Sequence, residues 1–165
     1  MFLLDTPVVA ELRKARAGQA DPALTAWAAG TARQNLFISA ITLLELETGV
    51  AQAERRDKAA AEGLRTWLDT HVTNAFEGRV LAIDAAVARR RGQIAISDAR
   101  DALLAATAQV HGLTVVTRNL AAFKGGKIKL LNPWDYRPDA SADDTDWREG
   151  TRTGPLWFKN LFLRF

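Results

Sequence analysis

Short apolar runs alternate with longer stretches that repeat apolar residues every three to four positions. Phe2-Leu3-Leu4 ends at Asp5 and predicts a buried strand. Thr6 then suits an N-cap, with Pro7 in the first turn, for a helix ending before Gly18. Asp21-Pro22 repeats the signal for a helix reaching about Gly30, and Leu36–Ser39 predicts a second strand. Thr42 to about Gln52 reads as a helix with a Leu43, Leu46, Val50 stripe. The Ala-rich, charged stretch from Ala53 to Thr73 reads as another. Val80–Ile83 predicts a strand, Asp84 caps a helix, and Asp98–His111 forms a helix closed by Gly112. Leu113–Val116 and Ile128–Leu131 complete the strands. Strands apolar on nearly every residue, alternating with helices, predict an α/β fold with a parallel sheet covered on both faces. In such sheets the site lies beyond the carboxyl ends of the strands.

Composition narrows the chemistry. The 165 residues include no Cys and two His, which excludes a disulfide scaffold, a thiol nucleophile and a thiolate or His-based zinc site. No apolar run approaches the roughly 20 residues that span a bilayer. The start, MFLLDT, lacks the basic n-region of a signal peptide, so the expectation is a cytoplasmic protein without membrane contact. The net charge of +3 is unevenly placed. Residues 1–137 carry 18 basic and 14 acidic side chains, and residues 138–165 carry 4 and 5. The body clusters are Arg55-Arg56-x-Lys58, Arg89-Arg90-Arg91, and Lys124 with Lys127 and Lys129. Singly each is a solvated helix face; together they suit a polyanion. The expected division is a domain over 1–137 and a polar linker with an aromatic, amphipathic extension over 138–165. In that extension Trp157, Phe158, Leu161, Phe162 and Phe165 share a helical face, and docking on protein is preferred to a membrane.

The polar residues at strand ends are the informative ones. Asp5 follows the first strand, Glu45 lies one turn into the helix after the second, and Asp101 lies in the first turn of the helix before the fourth. Thr117, Arg118 and Asn119 follow the fourth strand. Two readings are open. Acids at helix starts are common, and spacing alone favours caps and surface charges. Alternatively, three carboxylates converging at the strand tips repel one another, and a hard divalent cation relieves this. Such an ion polarises phosphoryl oxygens and activates water for phosphodiester hydrolysis.

Four collinear segments then carry a resemblance: FLLDTPVVAELRK, ISAITLLELETGV, DALLAATAQVHGLTVVTRN and LLNPW. In this order and spacing the chain resembles the PIN-domain ribonucleases, and most of all the VapC/FitB-like toxins of type II toxin–antitoxin systems, over about residues 1–135. The resemblance implies a PIN-like three-layer α/β/α fold with a central parallel sheet of four to five strands. It implies an endoribonuclease using Mg²⁺ or Mn²⁺ held by Asp5, Glu45 (of an E-x-x-x-G motif with Gly49) and Asp101. Thr6, Thr117 and Asn119 are supporting residues, and Arg118 and Lys124 are candidate RNA contacts. The implied partners are an RNA substrate, a cognate VapB-like antitoxin and a second copy. Homodimerisation is expected through helices around residues 24–72, and operator DNA is expected to be met only through the antitoxin. Two departures stand out. Pro7 replaces the usual polar residue after Asp-Thr, and Ala122 replaces a frequent fourth acid. Both predict weaker metal binding and weaker catalysis, with Asp98 a poor substitute nearly a turn from Asp101. The rivals are a catalytically impaired PIN-fold binding module and, behind it, a structure-specific DNA nuclease. Trp27 and Trp67 are expected in core or partner-facing positions on helices, Trp134 against the sheet, and His71 and His111 in structural places.

Overall fold

A computed structural model describes residues 1–137. The aromatic extension expected over 138–165 lies outside the described residues. The chain begins with β1 (Phe2–Leu4) and α1 (Thr6–Leu12), which tightens into a 3-10 turn over Arg13–Ala17. Then follow α2 (Pro22–Gly30), β2 (Leu36–Ser39) and α3 (Ala40–Arg56). Next come α4 (Lys58–Thr66), a wide π-type turn at Trp67–Val72 and α5 (Thr73–Ala75). The remainder is β3 (Val80–Leu81), α6 (Ala85–Arg91), α7 (Ala99–His111), β4 (Thr114–Val116), a 3-10 segment at Leu120–Gly126, and β5 (Lys129–Leu131).

The five strands form one parallel sheet in the order β3-β2-β1-β4-β5. Apolar side chains on successive residues explain why both faces are covered. Leu3 and Leu4 are each fully buried, yet they belong to different cores. Leu4, Ile38 and Val116 pack with α1, α2 and α3 on one side, and Leu3, Val87 and Val115 pack with α6 and α7 on the other. Burying a Leu contributes roughly 1.5–3 kcal/mol, so every β1 position on either face holds a layer in place. The result is the three-layer α/β/α arrangement. Trp27 is in the first core, where Phe2 meets its ring edge-on at 5.4 Å. Trp134 packs there too, on a short turn after Asn132.

The structure corrects the sequence reading in three places. The N-cap of α1 is Asp5 and not Thr6: the Asp5 side chain accepts from the Thr6 N–H at 2.8 Å. That leaves the Thr6 hydroxyl for another partner. The break between the third and fourth helices falls at Asp57 and not near Ala53. Asp57 is extended and accepts from the Ala60 N–H at 3.0 Å, so its carboxylate starts a new helix. The third strand spans only Val80–Leu81.

Gly125 lies where the 3-10 segment crosses the loop before α7, and a Cβ there would collide with the Ala95 carbonyl. This close approach fixes the segment that forms one wall of the site.

Candidate active site

The sheet order places strands 2 and 3 on one side of β1 and strands 4 and 5 on the other. The gap between β1 and β4 is therefore the topological switch point, where ligands bind in open α/β sheets. Asp5 ends β1 and Thr117 follows β4, and they meet here. The buried Thr117 hydroxyl donates to Asp5 Oδ2 at 2.7 Å, while Thr6 N–H donates to Oδ1. Asp5 N–H in turn donates to the Val116 carbonyl at 3.0 Å. Both carboxylate oxygens and the backbone are thus held.

Glu45 arrives from α3. Ser39 caps that helix by accepting from Thr42 N–H at 3.1 Å, and the Thr42 hydroxyl donates to the Leu4 carbonyl at 3.1 Å. These bonds tie the start of α3 to β1 beside Asp5. Thr6 Oγ1 donates to Glu45 Oε2, and Arg100 Nη1 donates to Oε1 at 3.3 Å. Asp101 arrives from the first turn of α7. Asp98 caps that helix, accepting from the N–H groups of Arg100 at 2.8 Å and Asp101 at 3.0 Å.

One open cleft of about 410 Å³ is lined by Asp5, Thr6, Pro7, Glu45, Asp101, Asn119, Ala122 and Phe123. The three acids singled out from sequence therefore share a single depression. Burial raises the Asp5 pKa, opposed by its bonds from Thr117 and Thr6 and reinforced by the Glu45 charge. Burial also raises that of Asp101, with the negative charges of Asp98, Asp5 and Glu45 adding to it. The cleft is electrostatically short of positive charge. Asp98 differs: two backbone N–H bonds lower its pKa, consistent with a cap and not with a member of the cleft.

The family model for the PIN domain matches residues 2–124. This chain belongs to the PIN-domain family. It is 32% identical over 143 residues to a VapC ribonuclease of Sinorhizobium fredii, covering 82% of this chain and 99% of that protein. To the toxin FitB of Neisseria gonorrhoeae it is 33% identical over 142 residues, covering 81% and 99%. Among solved structures, FitAB bound to an IR36 DNA fragment contains a chain that superposes with a TM-score of 0.73 at 30% identity, covering 84% of this chain and 99% of that one.

The remaining expected residues of this PIN domain take several places. Asn119 lines the cleft, but its Oδ1 accepts from Ala122 N–H at 3.3 Å and its N–H donates to Thr117 Oγ1 at 3.0 Å. It fixes the wall more than it offers an oxygen to the cleft. Ala122 and Pro7 line the same cleft. Lys124 is exposed one residue beyond Phe123. Arg118 lies outside the lining, its guanidinium 5.4 Å from the Trp134 ring centroid. Among the described residues no three Asp, Glu or His side chains stand close enough to cage an ion as placed.

Two features of the site are absent from the sequence reading. Arg100 is the cation nearest Glu45 in these contacts, and its only advance signal is its place beside Asp101 in a helix start. Ser39 and Thr42 position Glu45, and their three-residue spacing is an ST-cap signature.

Proposed function

We propose that this PIN domain is a toxin of the VapC/FitB type, a metal-dependent endoribonuclease controlled by an antitoxin. The carrying observation is that Asp5, Glu45 and Asp101, from three elements, line one cleft at the switch point of a chain whose relatives are named VapC ribonuclease and toxin FitB. Hard carboxylate oxygens fit Mg²⁺ or Mn²⁺, and burial together with the neighbouring acids raises the pKa values of Asp5 and Asp101, a cost that a divalent cation would offset. Asp5, Asp101 and Glu45 would hold the ion. When bound, it would supply Lewis-acid polarisation of the scissile phosphate. Asp5, locked by Thr6 and Thr117, keeps its donor oxygens aimed without reorganisation. Asp101, at the α7 N-terminus, stands where the helix dipole favours its anionic form. Phe123 and Ala122 give the cleft an apolar wall, and exposed Lys124 beside it is the nearest candidate for an RNA phosphate, with Arg118 behind it.

The reading extends to partners. Since FitAB was solved with DNA, we assign this chain an antitoxin partner, with operator DNA met through that antitoxin. A homodimer through helices of residues 24–72 belongs to the same reading, and Leu44 of α3 is 54% exposed there. The domain over 1–137 with a separate extension is likewise part of the proposal. Ala122 and Pro7 weaken the site, and the Ala122 methyl on the cleft wall specifically favours a second reading, an impaired PIN-fold binding module.

The deciding experiment incubates purified protein with Mn²⁺ and either single-stranded RNA or flap DNA, with Asp5→Ala as control. RNA cleavage lost in Asp5→Ala is expected. No cleavage of either substrate supports the binding module, and flap cleavage alone supports a DNA nuclease.

A further inference from the structure

Glu45 is the acid of the cleft with a cation of its own chain upon it. Its Oε1 accepts from Arg100 Nη1 at 3.3 Å, and its Oε2 accepts from the Thr6 hydroxyl. Asp5 and Asp101 have no ion pair among the described residues. Both Glu45 oxygens are thus drawn toward partners of this chain, and no three acids stand close enough to cage an ion.

The Arg100 side is the one built to let go. Its backbone is pinned, because its N–H donates to the Asp98 carboxylate at the α7 cap. Its side chain is 61% exposed against 25% for Glu45, and it makes one acid contact. An exposed single pair of this kind is weak and screened by salt. Elsewhere on the chain a strongly held arginine looks different: Arg65 reaches Glu47, Glu54 and Asp69 at 2.8, 3.0 and 3.4 Å.

We infer that Arg100 is a positioning residue that holds Glu45 in the metal-free protein and must release it before the cleft can take up a divalent cation. Metal loading is then an exchange of cations on one carboxylate. Arg100 neutralises Glu45 while the site is empty, which limits repulsion among the three acids, and it lowers metal affinity by the strength of the pair. This rests on the metal-site reading above, and its consequences fall on binding and not only on turnover.

The test is calorimetric titration of the full-length protein with Mn²⁺ at low salt. Arg100→Gln is expected to tighten Mn²⁺ binding roughly two- to fivefold, the size of a surface ion pair. Arg100→Lys, which keeps the charge, should return most of the way to wild type. Removing any nearby positive charge also favours a cation, so Arg91→Gln is the control. Arg91 lies near enough to lower the Asp98 pKa, but it donates to the carbonyls of Ile94 and Ile96 and touches no cleft acid. It should change affinity less than Arg100→Gln does. In a Glu45→Gln background the Arg100→Gln gain should vanish. A gain equal to that of Arg91→Gln, or one that survives in Glu45→Gln, overturns the latch and leaves the metal site standing. A wild type that takes up no Mn²⁺ overturns the metal site and the latch together.

Discussion

Two groups of three carboxylates stand on this PIN domain, and under the proposed function their difference separates chemistry from scaffolding. Glu47, Glu54 and Asp69 surround Arg65, which spans from α3 to α4 and the turn beyond it. Asp5, Glu45 and Asp101 line the cleft, where Arg100 reaches Glu45 alone. Glu45 and Glu47 lie two residues apart on α3, a spacing that sends them to different faces. The electrostatics diverge accordingly. Bonds from Arg65 hold the Glu54 pKa down and raise that of Arg65 itself, whereas burial pushes Asp5 and Asp101 up. A trio gathered on one shared arginine ties helices together. On the proposed function, a trio in which only Glu45 meets an arginine is the one that would take an external cation.

The largest expected effect is on cleavage. Asp5→Asn and Asp101→Asn should each lower the RNA cleavage rate by more than the roughly 10–100-fold typical of losing an outer-shell partner of a metal site. Glu47→Gln and Glu54→Gln should leave it near wild type. Initial rates with Mn²⁺ check this, and equal losses in both groups would break the comparison.

Metal should act on one trio only. Ligand that binds the folded state alone adds about 2.7 kcal/mol at roughly a hundredfold excess over Kd. For a chain of this size that is a rise of roughly 5–10 °C in melting temperature. Thermal scans with Mn²⁺ and with chelator should show the rise in wild type and in Glu54→Gln, and its absence in Asp101→Asn.

Without metal the two groups should respond to pH in opposite directions. The Asp5 pKa lies above its ordinary 3.8 in the fold. Stability from this group is therefore full below about 3.8 and lost as pH rises through the raised value. Asp5→Asn should melt higher than wild type in chelator at neutral pH, since Asn keeps the Thr6 bond and can donate to the Thr117 oxygen. The advantage should fade as pH falls toward 4. The Glu54 pKa lies below its ordinary 4.5, so its contribution is present above that value and lost as pH falls through the lowered one. Arg65→Ala should melt lower at neutral pH, and the deficit should shrink at high salt. Melting temperature against pH for both variants checks the two signs.

How far the sequence carried depends on what each feature requires. β1, β2 and β4 were readable because Leu3-Leu4, Leu36–Ile38 and Val115-Val116 are short runs apolar on successive residues, a pattern that a doubly covered strand accommodates. Asp5, Glu45 and Asp101 were readable as candidates from their places after strands and in helix starts, and the resemblance tipped their reading toward metal binding. The Asp57 break was hidden because residues 53–73 hold no proline and their Ala-rich charge pattern favours unbroken helix. One Asp capping Ala60 overrode that propensity. Thr6 was misread for a related reason. Asp5 is at once the last residue out of β1 and the first cap of α1, which frees Thr6 to bond Glu45 across 39 residues. Pairings of that kind, including Arg100 with Glu45, depend on which strands adjoin, and local sequence does not encode strand order.

The arginines extend the comparison to its smallest expected effect. Arg65 meets three acids, Arg100 meets one, and Arg118 meets none in the described contacts: its guanidinium lies over Trp134 at 5.4 Å. An exposed cation over an indole contributes about 0.5–1 kcal/mol, so Arg118→Ala should lower the melting temperature by roughly 1–4 °C. Trp134 packs against the first core, so this stacking holds the turn after β5 to the sheet. Arg118 lies outside the cleft lining, whereas Lys124 follows Phe123 of its wall. KM for RNA should therefore rise less in Arg118→Ala than in Lys124→Ala, and the Lys124 effect should weaken with salt as a phosphate contact does. Paired melting curves and KM values decide it. A larger KM rise in Arg118→Ala, with melting unchanged, would place Arg118 on the RNA path and make Trp134 a neighbour without a structural claim on it.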